Sequence, residues 1–202
     1  ERRYQSFIRG GALLKDADKK RFTEIAMELS QLSPKFSDNV LNATNAFELH
    51  ITDPKDVEGL PKGALDAAEF TAKRKGKDSG WLFTLQPSSV MPLLTYCKNR
   101  QIREKMSKAY GSRAFQDEYD NQDNIKRTLV LRKERAQLLG YKNHADYVLE
   151  DRMAASVDNA RAFLDKIYDA AYPAAQRERD EVAALAKELD NIDELQSWDW
   201  SY

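Results

Sequence analysis

The sequence predicts a mainly α-helical protein: a multi-helix array with kinked long helices and one small two-stranded antiparallel ribbon, about 47–52 with 81–85. Three observations carry this. Charged residues make up 32% of the chain and alternate in sign, with only 8 Gly and 6 Pro in 202 residues, the composition of helices with wet outer faces. Apolar residues recur mostly at spacings of three and four, the period of one helix face. Two short stretches depart from that spacing, and these are the strand candidates.

The elements follow in order. From Ala17 the residues Phe22, Ile25, Ala26, Leu29 and Leu32 fall at helical spacing. Ser33 and Pro34 read as a cap and first-turn proline, after which Phe36, Val40, Ala43 and Phe47 continue the stripe, giving two helices in line or one with a kink. Phe47, Leu49 and Ile51 then alternate with Glu48, His50 and Thr52, the period of a half-buried strand, until Asp53 and Pro54 end it. Gly59, Leu60 and Pro61 mark a turn, and 64–75 reads as a short helix ending at Gly76. Trp81, Leu82, Phe83 and Leu85 supply the second strand. After Pro87 a helix-like run leads into a charged helix ending near Arg113, with Ile102, Met106, Ala109 and Tyr110 on one stripe. Ile125, Leu129, Ala136 and Leu139 form a further stripe stopped by Gly140. A short helix over 144–151 follows. Ser156 then caps a long helix carrying Phe163, Leu164 and Ile167 and, beyond a kink at Pro173, Val182, Leu185, Ala186 and Leu189. With no repeat of fixed period, low-complexity tract or long linker, 1–202 reads as one helical unit without an internal boundary.

Composition excludes several classes. Lys and Arg total 32 against 33 Asp and Glu, so no concentrated positive field exists to displace phosphate counterions, and a nucleic-acid partner is not expected. No apolar run approaches the length of a membrane span. One cysteine, Cys97, rules out an internal disulfide, and its neighbours Leu94 and Tyr96 make it a small buried hydrophobe rather than a reactive thiol. The chain opens on Glu1 and closes on Trp198, Asp199, Trp200, Ser201, Tyr202, an aromatic cluster that calls for a packing partner, and it reads as an excised fragment.

No catalytic constellation emerges. The two histidines, His50 and His144, lie 94 positions apart and neither begins the Glu-x-x-His that sets two imidazoles on one helix face, so no zinc site is expected. His50 falls on the polar side of a strand and His144 near a helix start. Cys97 has no histidine brought near it by sequence, and no Gly-x-Ser-x-Gly elbow exists. Gly10 and Gly11 lack the lysine and spacing of a phosphate loop and read as a tight turn. Glu178, Asp180 and Glu181, and the pair Glu150 and Asp151, read as helix-surface charges. Lys73, Arg74, Lys75 and Lys77 suit a helix C-terminus. Tyr110, Tyr119, Tyr141, Tyr147, Trp198 and Trp200 read as packing rather than as a peptide groove. Catalytic, cofactor-binding and metal residues are therefore all expected to be none.

Several segments in order nevertheless resemble one enzyme family: RGGALL at 9–14, KFSDNVLNAT at 35–44, GLP at 59–61, GWLFTLQPSSVMPLL at 80–94, NRQIREKMSKAYGSRA at 99–114, DNIKRTLVLRKERAQLLGY at 123–141 and MAAS at 153–156. Together they are similar to the thimet-oligopeptidase family of zinc metallopeptidases, with the Trp198, Asp199, Trp200 region pointing to the peptidyl-dipeptidase branch. The resemblance implies a helical, two-lobed enzyme with a deep channel for short peptides. In that family a His-Glu-x-x-His helix and a downstream glutamate hold zinc, whose bound water attacks the peptide carbonyl. None of those residues has a counterpart here, because the family's order places the motif after the Trp-Asp-Trp region. The implied function is thus a non-catalytic segment of a peptidase hydrolysing short peptides, part of its channel wall, with zinc in the parent enzyme and none in this chain. Self-association through exposed apolar surface is expected, and cytoplasm is favoured over periplasm. The alternative is a stand-alone helical scaffold or protein-binding module.

Overall fold

A computed structural model describes residues 1–202, the side chain at position 2 excepted. Eight α-helices account for most of it: α1 (Arg2–Arg9), α2 (Asp16–Ala46), α3 (Lys62–Arg74), α4 (Pro87–Tyr96), α5 (Arg100–Gly111), α6 (Gln122–Leu138), α7 (His144–Leu149) and α8 (Val157–Asp190). Two strands, β1 (Leu49–Ile51) and β2 (Trp81–Phe83), form the ribbon. They pair antiparallel with Leu49 opposite Phe83, His50 opposite Leu82 and Ile51 opposite Trp81, within the expected stretches but trimmed to three residues each. A 3-10 turn at Pro54–Val57 begins where the sequence ends the first strand, and the Asp53 carboxylate caps it by accepting from the Lys55 N–H at 2.9 Å.

The residues group into two compact units, Glu1–Phe36 with Gln122–Val182, and Ser37–Asn121 with Ala183–Tyr202. In the first, α2 and α6 run antiparallel. Arg21 forks onto Glu134 at 2.6 and 2.7 Å, Arg127 forks onto Glu28, and the Asn124 amide donates to Leu32 O at 3.1 Å, so partners advance along one helix as they retreat along the other. This ladder corrects the expected stripe of α6. Leu131 and Ala136 are fully buried, but Ile125 and Leu129 are exposed, because the polar rungs fix which side of α6 meets its partner.

The second unit holds the main apolar cluster. Leu49, Ile51, Val57, Leu60, Phe83, Leu85, Val90, Leu93, Cys97 and Met106 are buried together, joined by Ala68 of α3. Full burial of a side chain such as Phe83 or Leu93 contributes about 1.5–3 kcal/mol, so the ribbon and α3 to α5 carry most of this unit's cohesion. Gly80 makes the ribbon's entry possible. Its φ is +86°, and a Cβ there would stand 2.4 Å from Ile51 O, so the residue before β2 must lack a side chain.

The helix ends obey local chemistry. Asn99 caps α5, accepting from the Gln101 and Ile102 N–H groups, and Asn143 caps α7, while at the start of α8 the Ser156 hydroxyl indicated by the sequence accepts from the Asn159 N–H. At the end of α6, Tyr141 N–H bonds Ala136 O and Gly140 N–H bonds Gln137 O, the paired closure expected of a left-handed glycine. Of the two readings at Ser33 and Pro34, two helices in line or one with a kink, the structure has the single helix. α2 runs uninterrupted through Pro34, and the Ser30 carbonyl that loses its donor lies on an exposed face where water can satisfy it. α8 likewise continues through Pro173, with Arg177 donating to Pro173 O at 3.2 Å.

None of the residues of the long helix α8 is buried. Phe163 is 64% exposed, Leu164 62% and Leu189 68%, so the stripe read from sequence lies on exposed surface.

Candidate functional site

Two features of the second unit concentrate polar groups. The first is a groove of about 440 Å³ between one face of α3, the β2 strand and the start of α4. Its floor is small, with Ala64, Ala68 and Thr71 along α3, and hydroxyl and amide groups of Asn45, Gln86, Ser88 and Ser89 line the opposite side. Ser89 Oγ accepts from the Thr84 N–H at 3.0 Å and Gln86 donates to Asn45 Oδ1 at 2.8 Å, which fixes the β2–α4 turn at the rim. Arg74 and Lys75 stand at one end, Lys75 paired to Glu48 at 2.9 Å.

The second feature is a buried charge cluster. Arg103 of α5 is 1% exposed, and its guanidinium donates to Cys97 O (2.8 Å), Lys98 O (3.2 Å), Trp198 O (3.2 Å) and Asp199 Oδ1 (3.1 Å). Arg100 adds bonds to both Asp199 oxygens and to Glu194 O, while the Gln196 N–H donates to Asp199 Oδ2. The Tyr202 ring lies 3.8 Å from the Arg103 guanidinium carbon. Burial alone would raise the Asp199 carboxyl, but the bonds from Arg100, Gln196 and Arg103 outweigh it and hold the group below the ordinary carboxylate range. Sequence reasoning missed Arg103 and Asp199. The Trp-Asp-Trp cluster was the only signal.

The residues weighed for chemistry are dispersed. His50 is exposed, its Nε2 2.7 Å from Ser79 O. His144, the first residue of α7 in the other unit, has a buried Nδ1 with no hydrogen-bond partner among the described residues, and burial together with Arg132 and Arg135 pushes its pKa down. Cys97 is fully buried with its thiol donating to Asp56 O at 3.3 Å, and burial pushes the thiol pKa up, away from the thiolate a nucleophile needs. Gly10 and Gly11 close α1, where Ala12 N–H bonds Phe7 O. Glu150 binds Arg9 at 2.8 Å and Tyr141, tying α1 to α7 through the half-buried Arg9, which also donates to Tyr147 O. Tyr141 and Tyr147 pack edge to face beneath Arg9. Lys73 pairs with Glu69 and Lys75 with Glu48; Glu178, Asp180 and Glu181 sit on the exposed face of α8.

Among the described residues no group of three or more His, Cys, Asp or Glu is placed to hold a metal ion. No described helix is long and apolar enough to cross a membrane.

Residues 93–202, more than half of the chain, match peptidase family M3. The chain belongs to this family. Across its whole length it is 37% identical to the probable cytosolic oligopeptidase A of Arabidopsis thaliana. Over 98% of its length it is 36% identical to oligopeptidase A and 30% identical to dipeptidyl carboxypeptidase, both of Escherichia coli. Alignments that extend far before residue 93 bring the ribbon, α3 and the groove within the resemblance. The chain spans 30%, 30% and 29% of those three relatives, so most of each M3 peptidase lies outside the region compared.

Proposed function

We propose that this chain is a helical, non-catalytic segment of a zinc-dependent metallopeptidase that hydrolyses short peptides, acting as an oligopeptidase or peptidyl-dipeptidase, and that it supplies part of the substrate-channel wall of a two-lobed enzyme. The observation that supports the reading is membership of family M3, beside which no group of three or more His, Cys, Asp or Glu among the described residues is placed to hold a metal ion. Binding and orientation of peptide, not bond cleavage, are then the work of these residues. The concave groove beside α3 is the stretch of surface best shaped for it, because its small floor and row of hydroxyl and amide groups suit an extended backbone.

Two measurements test this. The 202-residue chain alone should release no product from a quenched fluorescent peptide and retain no stoichiometric zinc by metal analysis, whereas a longer polypeptide that includes it should cleave and should lose activity to a chelator. Stoichiometric zinc in the short chain would overturn the assignment. For the wall, Ala67→Trp, placed at the groove and exposed, should raise KM for longer peptides while leaving kcat for the shortest ones unchanged. Equal kinetics for all lengths would remove the groove from the channel.

The second reading, a stand-alone binding module, draws on the unburied apolar face of α8. The same face supports self-association of the isolated chain, which sedimentation would register as a concentration-dependent rise in mass; a monomer at high concentration would refute it. The Arabidopsis relative named as cytosolic supports a cytoplasmic location over a periplasmic one.

A further inference from the structure

The groove beside α3 lies wholly within the second unit, and its charges do not balance. Glu48, Arg74 and Lys75 are its charged lining residues, gathered at the end where α3 finishes. Lys75 is matched by Glu48 at 2.9 Å. The exposed Arg74 guanidinium meets no carboxylate and no carbonyl among the described residues. Most neutral groups of the wall are already engaged: Gln86 donates to Asn45 Oδ1, Ser89 Oγ accepts from the Thr84 N–H, and Thr71 Oγ1 donates to Ala67 O at 2.8 Å. What the groove leaves unanswered is a cation.

That cation selects by shape as well as charge. A guanidinium presents its N–H donors in a planar fork that matches both oxygens of a carboxylate, whereas a backbone carbonyl fills only part of it. The floor beside it, Ala64, Ala67 and Ala68, supplies no acid of its own and leaves room for a chain to lie along α3. With two cations against one carboxylate on the lining, an incoming acid is attracted and an incoming base repelled.

We propose that this groove selects acidic peptides: an extended segment lies on the α3 floor with a carboxylate held by the Arg74 fork. The proposal rests on the reading of the groove as a peptide-binding wall and adds the chemistry that the wall accepts. The carboxylate comes from an Asp or Glu side chain or from the peptide's own C-terminus, which a guanidinium meets alike. Glu48 sets the strength of the site, because by holding Lys75 it keeps a second cation from the ligand.

Binding to the 202-residue chain, read from amide chemical shifts, is the first test. The probes are N-acetylated pentapeptides: Ala-Ala-Gln-Ala-Ala as the amide, the same sequence as the free acid, and Ala-Ala-Glu-Ala-Ala as the amide. At least one acid should bind about two- to fivefold tighter than the neutral amide, the worth of one exposed ion pair, with shifts at 64–75 and 86–89, and the acid that does so names the source. Arg74→Gln should erase that preference, Arg74→Lys should keep part of it, and Glu48→Gln, which frees Lys75, should enlarge it. Added salt should shrink it. Equal affinities for all three peptides, a preference that survives Arg74→Gln, or shifts confined to other surfaces would overturn the proposal. The longer polypeptide gives the second test: Arg74→Gln should raise KM for a quenched fluorescent peptide bearing that acid and leave KM for its neutral counterpart unchanged. An unchanged KM for both would overturn the acid site while Ala67→Trp still reports on the wall, so the two readings fail separately.

Discussion

Gly80→Ala offers a worked case in which one methyl group should unseat the ribbon. The backbone at Gly80 has φ +86°, and an added Cβ would lie 2.4 Å from Ile51 O, 3.0 Å from Thr52 Cγ2 and 3.1 Å from His50 Nε2. The left-handed conformation alone costs a residue with a Cβ about 1–2 kcal/mol. The clash adds to it, because the nearest atom is a backbone oxygen of β1 and moving it strains the pairing of Ile51 with Trp81. Distortion by a few degrees of angle or torsion costs about 1 kcal/mol or more, so a total near 2–4 kcal/mol is expected. Gly63→Ala is the control: in the first turn of α3, with nothing within 4 Å of its Cβ, it should be neutral or stabilise by up to about 1 kcal/mol. Urea unfolding followed by circular dichroism, with equal slopes, reads both. Two midpoints shifted in the same direction, or a Gly80→Ala midpoint matching the wild type, would refute the reasoning.

Three further outcomes follow from the same kind of argument. Leu93→Ala, which truncates a side chain with no exposed surface in the main cluster, should destabilise by about 2–5 kcal/mol in the same assay. The Asp199 carboxyl sits below its unfolded value, so its contribution is present above ordinary carboxylate pH and is lost as pH falls through the folded value; Asp199→Asn should remove that part of the acid sensitivity, seen as a flatter midpoint-against-pH curve. His144 is also depressed, so the neutral ring suits the fold and protonation opposes it: NMR should place its titration below that of a free histidine, and His144→Gln should reduce the stability lost on acidification from about pH 7 to 5.

Much of the architecture was legible because it rests on local signals. The ribbon could be found from the alternation at Phe47 to Thr52 and from Trp81 to Leu85, and the end of its first strand from Asp53 and Pro54. The helix start at Ser156 and the stop at Gly140 depend on one side chain or one φ each, so they too are local. What failed depended on distant partners. Apolar spacing placed Ile125 and Leu129 on the inner face of α6, whereas the ion-pair rungs to Arg21 and Glu28 decide the orientation. Arg103 in a run of charges gave no hint of burial, since the carboxylate that makes burial tolerable is 96 positions away. The groove beside α3, built from separated segments, needed three dimensions.

That separation also has a temporal meaning. A ribosome adding 5–20 residues per second makes Asp199 about 5–20 s after Arg103. During that interval Arg103 is a hydrated cation on a growing chain, and the α4–α5 turn must be shaped without the Asp199 carboxylate. Both strands of the ribbon and the whole of α3 are synthesised before Asp199 exists, so the apolar cluster can gather first and the charge pair can close over it afterwards. The order of synthesis thus favours a nascent chain that excludes water from its interior before it commits an ion to it.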